Sequence, residues 1–477
     1  MSFEGLWPWL AGAGHAVVIV IASGHVILHK RDVRAAIGWC ALILFSPIVG
    51  AIAYYFFGIN RIQRRAARLV ALRPELDEGA LAPAGSTTLP TQFDEELGRL
   101  SRTVGRATGN QLLAGNVVRS LVNGDEAYPE MLEAITRAER SVLLTTYIFD
   151  NDRAGRLFVD ALADAAARGV AVRVLVDSVG KRYSRSPITR ALRARNVGTA
   201  EFLPSRVPFR NPYVNLRNHR KLLIVDGGTG FAGGLNIREG CLLEQPSAHP
   251  VQDLHFRFEG PIVDQMFSAA HQDWYFTTGE LLGGPAWHSA TSPSGDVWAR
   301  GLPDGPDEDF ETILWTILAA VGAARRSIRI ATPYFLPDLT TLTALRLAAY
   351  RGVDIDIVLP EKNNLRLVGW ASQAQLWQVL EPGCRVWLVP PPFDHSKVMV
   401  VDGVWCLVGS ANWDARSLRL NFEYNVECYD EALADELLRL TGEKMDLGRR
   451  LSFEEVEARA LPVRLRDGVA RLFAPYL

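Results

Sequence analysis

The chain lacks the strong charge that would point to a polyanionic partner: 51 basic side chains stand against 53 acidic ones, for a formal net charge of -2. Proteins organised around nonspecific nucleic-acid binding carry a strongly basic domain, so nucleic acid is not an expected partner. It is also poor in cysteine. Cys40, Cys241, Cys384, Cys406 and Cys428 form no CxxC pair and no metal-ligand spacing, and an odd number cannot all pair within one chain. They read as reduced, packed side chains. Histidine is sparse, nine in 477 residues, so histidines that recur in a pattern stand out. Apolar character is plentiful: 48% hydrophobic against 22% charged, over a length that calls for two or three folded units.

Much of that apolar character opens the chain. From Leu6 to Leu28 the only polar residues are His15, Ser23 and His25, a run longer than the roughly 20 residues that cross a bilayer as helix. After the polar segment His29 to Arg34, a second run from Ala35 to Phe57 is interrupted only by Ser46 and Pro47. Two such runs around a charged loop predict a two-helix transmembrane hairpin. A cleaved signal would show a basic start and a small-residue cleavage site, whereas this chain starts Met-Ser-Phe-Glu. Trp7, Trp9, Tyr54 and Tyr55 fall near the span ends, where amphipathic rings favour the interface. Arg61, Arg64, Arg65 and Arg68 after the second run outnumber Lys30, Arg31 and Arg34 between the runs, which puts the large domain on the cytoplasmic side. Pro74 to Thr91, rich in Pro, Gly, Ala and Thr, reads as a linker.

The remainder is written twice. The stretch from Glu139 to Phe149 matches that from Arg325 to Phe335, each a strand ending at a polar, aromatic edge. A helical stretch follows each, then Arg168-Gly169-Val170 or Arg351-Gly352-Val353 leads into another apolar strand. Strand, helix, glycine turn and strand make a βαβ unit, hence a sheet covered by helices. Each half then carries one chemical element. His219-x-Lys221 precedes Asp226, Gly234 and Asn236 as His395-x-Lys397 precedes Asp402, Ser410 and Asn412, in the pattern HxKxxxxD followed by G[GS]xN at identical spacing.

The element suits phosphodiester chemistry. On a strand, residues two apart share a face, so each His and Lys would present an imidazole and an ammonium together. Glycine allows backbone to approach an anion, and Asn236 and Asn412 are candidate amide donors to it. If the halves pack about a pseudo-twofold axis, two His, two Lys and two Asn converge into a phosphate cradle that uses no metal. One imidazole attacks phosphorus, the other protonates the leaving alcohol, and the roles reverse when a new alcohol arrives; the Lys and Asn groups stabilise charge on the equatorial oxygens. Each His needs one orientation, so a carboxylate on its second ring nitrogen is expected, and Asp253 and Glu423 stand downstream of the two motifs. Asp226 and Asp402 complete the catalytic motif, although an Asp at a strand end caps a turn more readily than it transfers a proton.

These paired elements resemble the HKD motifs of the phospholipase D superfamily, from about Ser120 to the end. The two apolar runs, Thr332-Pro333-Tyr334-Phe335-Leu336-Pro337-Asp338, Asn412-Trp413-Asp414-Ala415-Arg416-Ser417, Leu420-Asn421-Phe422-Glu423 and the terminal Ala470 to Leu477 are similar to bacterial cardiolipin synthases. The resemblance implies an α/β fold of two pseudo-twofold-related phospholipase D-like halves, each a mixed sheet flanked by helices, behind the hairpin. The expected division is residues 1–60 for the transmembrane helices, 61–115 for a juxtamembrane segment and linker, and 116–295 and 296–477 for the halves. It implies transfer of a phosphatidyl group between two phosphatidylglycerol molecules, giving cardiolipin and glycerol through a phosphohistidine, at the bacterial inner (plasma) membrane and with no cofactor. By analogy His219 is the nucleophile and His395 the acid. The sequence departs from the family pattern at Val251-Gln252, where a Trp is expected shortly before Asp253, the expected partner of His219.

Three rivals are compatible with parts of this pattern. A lipid hydrolase would use the same residues with water as acceptor, or another alcohol would serve in its place; the apolar runs favour a lipid. A nuclease needs a basic, aromatic groove that the sequence does not suggest. A noncatalytic scaffold conflicts with intact His and Lys in both copies. Pro462 to Phe473 alternates basic and apolar residues, as an amphipathic helix does on a membrane or against a core.

Overall fold

The computed structural model describes residues 3–30, 33–58, 89, 93–180, 187–204, 216–287, 291–305 and 311–474. Arg31, Arg61, Arg64, Arg65, Arg68, nearly all of the expected linker and the last three residues lie outside them. The described residues fall into two compact units, the first comprising those up to Gly58 and the second those from Leu89 onward.

In the first unit, Phe3–His29 is one helix, and Trp9–His29 is long and apolar enough to cross a membrane. Its apolar side chains point outward, Trp9 and Leu28 being about four-fifths exposed, the inverse of a soluble core helix. The second apolar run departs from expectation. Instead of one straight span it forms helices Val33–Phe45 and Pro47–Ala53, broken at Ser46. Proline has no N–H to continue the helix and disfavours helical backbone in the residue before it. The shorter helix turns back on the longer one. A Cβ on Gly50 would come within 2.6 Å of the Leu42 carbonyl oxygen, so only glycine permits the approach. Val26, Ile43 and Tyr54 are buried at the centre, and His25 Nδ1 lies 2.9 Å from the Tyr54 hydroxyl.

The second unit is built on a sheet of two similar series of strands. The first comprises β1 Leu113–Val122, β2 Ser141–Thr146, β3 Ala171–Asp177, β4 Gly198–Phe202, β5 Leu222–Val225, β6 Thr229–Gly233, β7 Val251–Gln252 and β8 Leu254–Glu259. The second comprises β9 Val297–Asp304, β10 Ser327–Ala331, β11 Phe335–Leu336, β12 Asp354–Pro360, β13 Arg385–Val389, β14 Phe393–Asp394, β15 Val398–Val401, β16 Trp405–Gly409, β17 Trp413–Asp414, β18 Glu423–Tyr429 and β19 Arg449–Leu451. Among the described residues, fifteen strands form one sheet in the order β19-β13-β12-β10-β15-β16-β18-β9-β1-β8-β6-β5-β2-β3-β4. Read outward from the antiparallel β1–β9 seam, the order is the same in both directions until β19, a pseudo-twofold arrangement. β2 pairs parallel with β3 and antiparallel with β5, as β10 does with β12 and β15. β2, β5, β15 and β18 are buried along their whole length, as strands covered on both faces must be.

Helix Glu95–Thr108 corrects the expected linker at 61–115. It starts where the Asp94 side chain accepts from Leu97 N at 2.8 Å and ends at Gly109, whose φ of 70° is left-handed. Leu97, Leu100 and Val104 fall on one face and pack with Ile313, Ile317 and Val321 of the second half. Its many charges hide this three-residue stripe in composition. Leu100→Ala should therefore cost about 2–5 kcal/mol and lower the melting temperature of the detergent-solubilised protein; an unchanged melt would place this helix outside the cooperative core.

Candidate active site

Tyr147 follows β2 and Tyr334 follows β10, at the carboxyl ends of these strands, where α/β sheets place their ligand sites. The two HxK segments lie there too. They precede β5 and β15 rather than lying in them, which corrects the expectation that strand alternation alone aligns His with Lys. They pair instead with the opposite half. His219 N donates to Phe422 O at 2.8 Å and Phe422 N to Arg217 O at 2.9 Å. His395 N donates to Gln252 O at 2.8 Å, continuing the parallel pairing of β14 with β7.

That crossing overturns the expected partner of His219. His219 Nδ1 lies 2.9 Å from Glu423 Oε2, and His395 Nδ1 lies 2.7 Å from Asp253 Oδ2. Each imidazole is oriented by a carboxylate from the other half, and both pairs are buried. Asp253 holds its place despite the Val251-Gln252 departure, because Gln252 contributes its backbone carbonyl. Each Nε2 is left as the ring atom for chemistry. Lys221 Nζ donates to His219 O at 2.6 Å, and Lys397 Nζ to His395 O. Each ammonium thus folds back on its motif with further N–H groups remaining.

The other expected residues divide. Asn236 Oδ1 accepts from Ile148 N at 3.1 Å, which leaves its amide N–H groups for a ligand, whereas Asn412 directs its Nδ2 to Ser417 Oγ at 3.1 Å. Gly234 and Ser410 face carboxylates. A Cβ on Gly234 would sit 2.1 Å from Asp253 Oδ1, so glycine is what lets the shorter Asp carboxylate reach His395. Ser410 Oγ donates to Glu423 Oε2 at 2.6 Å. Asp226 and Asp402 are not brought into the site, which corrects their inclusion among the catalytic residues. They stand at the far ends of β5 and β15. Asp226 accepts from the backbone N–H groups of Glu139, Arg140 and Ser141, and Asp402 from those of Arg325, Arg326 and Ser327, at 2.7–2.9 Å. With φ of 52° and 54°, they clamp two turns.

Sequence reasoning saw an aromatic edge after each strand but did not place its rings against the histidines. The Tyr147 ring meets His219 edge-on at 5.0 Å and Tyr334 meets His395 at 6.2 Å; their equivalent repeat positions were the available signal. It also missed Arg220, which donates to Glu423 O at 2.9 Å and Asp273 Oδ1 at 2.9 Å and so fastens the strand carrying Glu423.

Burial dominates the electrostatics. It lowers His219 against the pull of Glu423, and together with Lys397 it pushes His395 down to about 4. Burial likewise lowers Lys221 to about 7 and Lys397 to about 8, each resisted by nearby carboxylates. The Lys397 charge depresses Lys221 as well, so ammonium groups from both halves face one space. Burial alone would raise Glu423, but His219, Lys221 and Ser410 hold it below the usual carboxylate range.

Paired HxK segments at the seam of a duplicated mixed sheet define a phospholipase D-like protein. A phosphatidylserine synthase from Haemophilus influenzae Rd KW20 has the same fold, with a TM-score of 0.61 at 15% identity over 80% of this chain and 100% of that one. The family described as "Cardiolipin synthase, PLD-like domain" matches residues 131–245 and 317–442, and "Phospholipase D-nuclease N-terminal" matches residues 17–58. A cardiolipin synthase from Geobacillus kaustophilus is 33% identical over 99% of this chain and 94% of its own. A cardiolipin synthase A from Pseudomonas putida is 32% identical over 98% of both, and the major cardiolipin synthase of Bacillus subtilis is 31% identical over 96% of this chain and 97% of its own. The chain belongs to the bacterial cardiolipin synthase family of the phospholipase D superfamily.

Two measurements test the geometry. Gly234→Ala should displace Asp253 and remove the hydrogen-bonded Nδ1–H signal of His395 from the proton spectrum while that of His219 stays; loss of both or neither contradicts the crossed assignment. Inorganic phosphate should raise the titration of His395 from about 4 toward neutrality, since an adjacent anion stabilises imidazolium; an unmoved titration would mean that the anion binds elsewhere.

Proposed function

We propose that the protein makes cardiolipin, transferring a phosphatidyl group from one phosphatidylglycerol to another. The observation that carries this reading is the pair of buried HxK segments, each with an orienting carboxylate from the opposite half, in a chain that matches cardiolipin synthases over nearly its whole length.

The chemistry follows from the free Nε2 atoms. His219 Nε2 attacks phosphorus, forming an N–P bond as the P–O bond to glycerol breaks. His395, protonated in the presence of the anionic phosphodiester, gives its Nε2 proton to the leaving glycerol oxygen. A hydroxyl of the second phosphatidylglycerol then returns a proton to His395 and attacks phosphorus, breaking the N–P bond and leaving cardiolipin. Lys221, Lys397 and Asn236 stabilise charge on the equatorial oxygens. Asp253 and Glu423 hold the imidazoles in the tautomer that this needs and stabilise imidazolium.

The apolar N-terminal segments anchor the protein in the bacterial plasma membrane as a hairpin, with its broken second arm, and the halves at about 116–295 and 296–477 face the cytoplasm. A reporter fused to the carboxyl terminus should score as cytoplasmic; a periplasmic score reverses the topology.

In mixed micelles of labelled phosphatidylglycerol, cardiolipin and glycerol should rise together. His219→Ala should reduce the rate by at least about 10^4, a typical cost of losing a covalent nucleophile. Phosphatidic acid without cardiolipin would mark a hydrolase instead. With substrate labelled in its phosphate, His395→Ala should retain the label on His219; label on His395 in a His219→Ala protein would exchange the two roles.

A further inference from the structure

Helix Leu461–Arg471 is mounted with its apolar side out. Leu461, Leu465, Val469 and Leu472 recur at four, four and three residues, one face of a helix, and are 68, 60, 56 and 73% exposed. A helix on the surface of a soluble core turns such a stripe inward. Here the inward side is fastened by a small residue and by charge. Ala470 packs with Leu336, Val368 and Ala371. Asp467, buried, accepts from Arg459 Nη1 at 2.8 Å and from Arg466 Nε at 2.9 Å. Arg459 donates onward to Gln373 O at 3.0 Å, and the Arg466 guanidinium lies 4.4 Å over the Trp370 ring. Asp467, the acid within the helix, is thereby withdrawn from the surface, while Arg471 is exposed beside the stripe and Arg464, also exposed, pairs with Glu457 at 3.3 Å.

This helix is joined to the active site. It packs on helix Arg366–Gln373, whose leading residues Leu365 and Leu367 are also exposed. Just before them, Asn364 Oδ1 accepts from the Tyr334 hydroxyl at 2.8 Å and Asn363 Nδ2 donates to Pro333 O at 3.0 Å. Tyr334 is the ring that meets His395 edge-on.

We propose that helix Leu461–Arg471, with Leu365 and Leu367, docks on the surface of a bilayer containing anionic lipid and holds the His395 side of the site against it. The apolar stripe enters the interfacial region and the arginines meet the phosphates. Charge complementarity selects this occupant: a stripe flanked by exposed Arg464, Arg466 and Arg471, with Asp467 buried and Glu457 held by Arg464, fits an anionic lipid surface. The proposal rests on the lipid-transfer reading. It adds that phosphatidylglycerol reaches the histidines directly from the membrane surface.

The test uses the full-length protein in phosphatidylcholine–phosphatidylglycerol vesicles, with an environment-sensitive dye on Leu465→Cys and the unsubstituted chain, whose Cys241, Cys384, Cys406 and Cys428 are buried, as background. Nitroxide on the lipid acyl chains should quench the dye and aqueous iodide should not. Free access of iodide overturns the proposal. So does protection that persists in detergent together with crosslinking of two copies through residue 465, which would make the face a self-interface. The pair Leu465→Glu and Val469→Glu should lower turnover of bilayer phosphatidylglycerol by at least about tenfold, as a rise in KM, and leave monomeric short-chain phosphatidylglycerol unaffected. Equal rates on bilayer substrate overturn docking. If the variant fails on both substrates, the dye result decides. Absence of cardiolipin synthesis by the unsubstituted protein would sink the transfer reading, while the dye would still report docking.

Discussion

Two buried hydrogen bonds that run between the halves, His219 to Glu423 and His395 to Asp253, constrain everything around them. A buried carboxylate without its partner costs about 3–5 kcal/mol, so neither half can close its interior alone. The short parallel pairings of β14 with β7 and of Asn218 with Phe422 are the local form of the same crossing: each motif backbone is held by the segment leading to its carboxylate. The β1–β9 seam sets the halves about the axis that makes both crossings possible.

The frame is symmetric and the chemistry it holds is not. In one half a glycine, Gly234, makes room for the short side chain of Asp253; in the other Ser410 occupies the matching place and donates to the longer Glu423. The residue after each histidine differs as well. Arg220 braces the strand of Glu423 and pairs with Asp273, while Ser396 donates to Asp394, which Lys444 neutralises. Two chemically equivalent histidines thus sit in inequivalent surroundings.

Desolvation sets the resting state. Both imidazoles are lowered, and both lysines are brought close to neutral pH. The lowered titration of His219 suits an unprotonated imidazole, and on the proposed reading an adjacent phosphodiester would raise His395 and both lysines toward their charged forms. The same dry interior strengthens every hydrogen bond to that phosphodiester.

Much of this was legible in the chain. The doubled HxKxxxxD and G[GS]xN pattern located the histidines, lysines and asparagines because a repeat in register is an unusual coincidence, and the repeated strand–helix–glycine–strand units predicted a sheet covered by helices. Apolar length alone suggested two membrane spans, but a backbone effect at Ser46–Pro47 divided the second. Helix Glu95–Thr108 was overlooked because charge dominates its composition, although Leu97, Leu100 and Val104 recur at helical spacing between the start and stop signals Asp94 and Gly109. Sequence order placed Asp253 and Glu423 after their own motifs, and only tertiary structure could reveal that each serves the other half. The strand-end position of Asp226 and Asp402 already favoured turn capping, and the backbone N–H groups that each accepts show it. Spacing along the chain fixes which residues recur and on which kind of element. Which side chain meets which is decided by how strands from distant segments pair across the seam, a property of the packed sheet and not of either half.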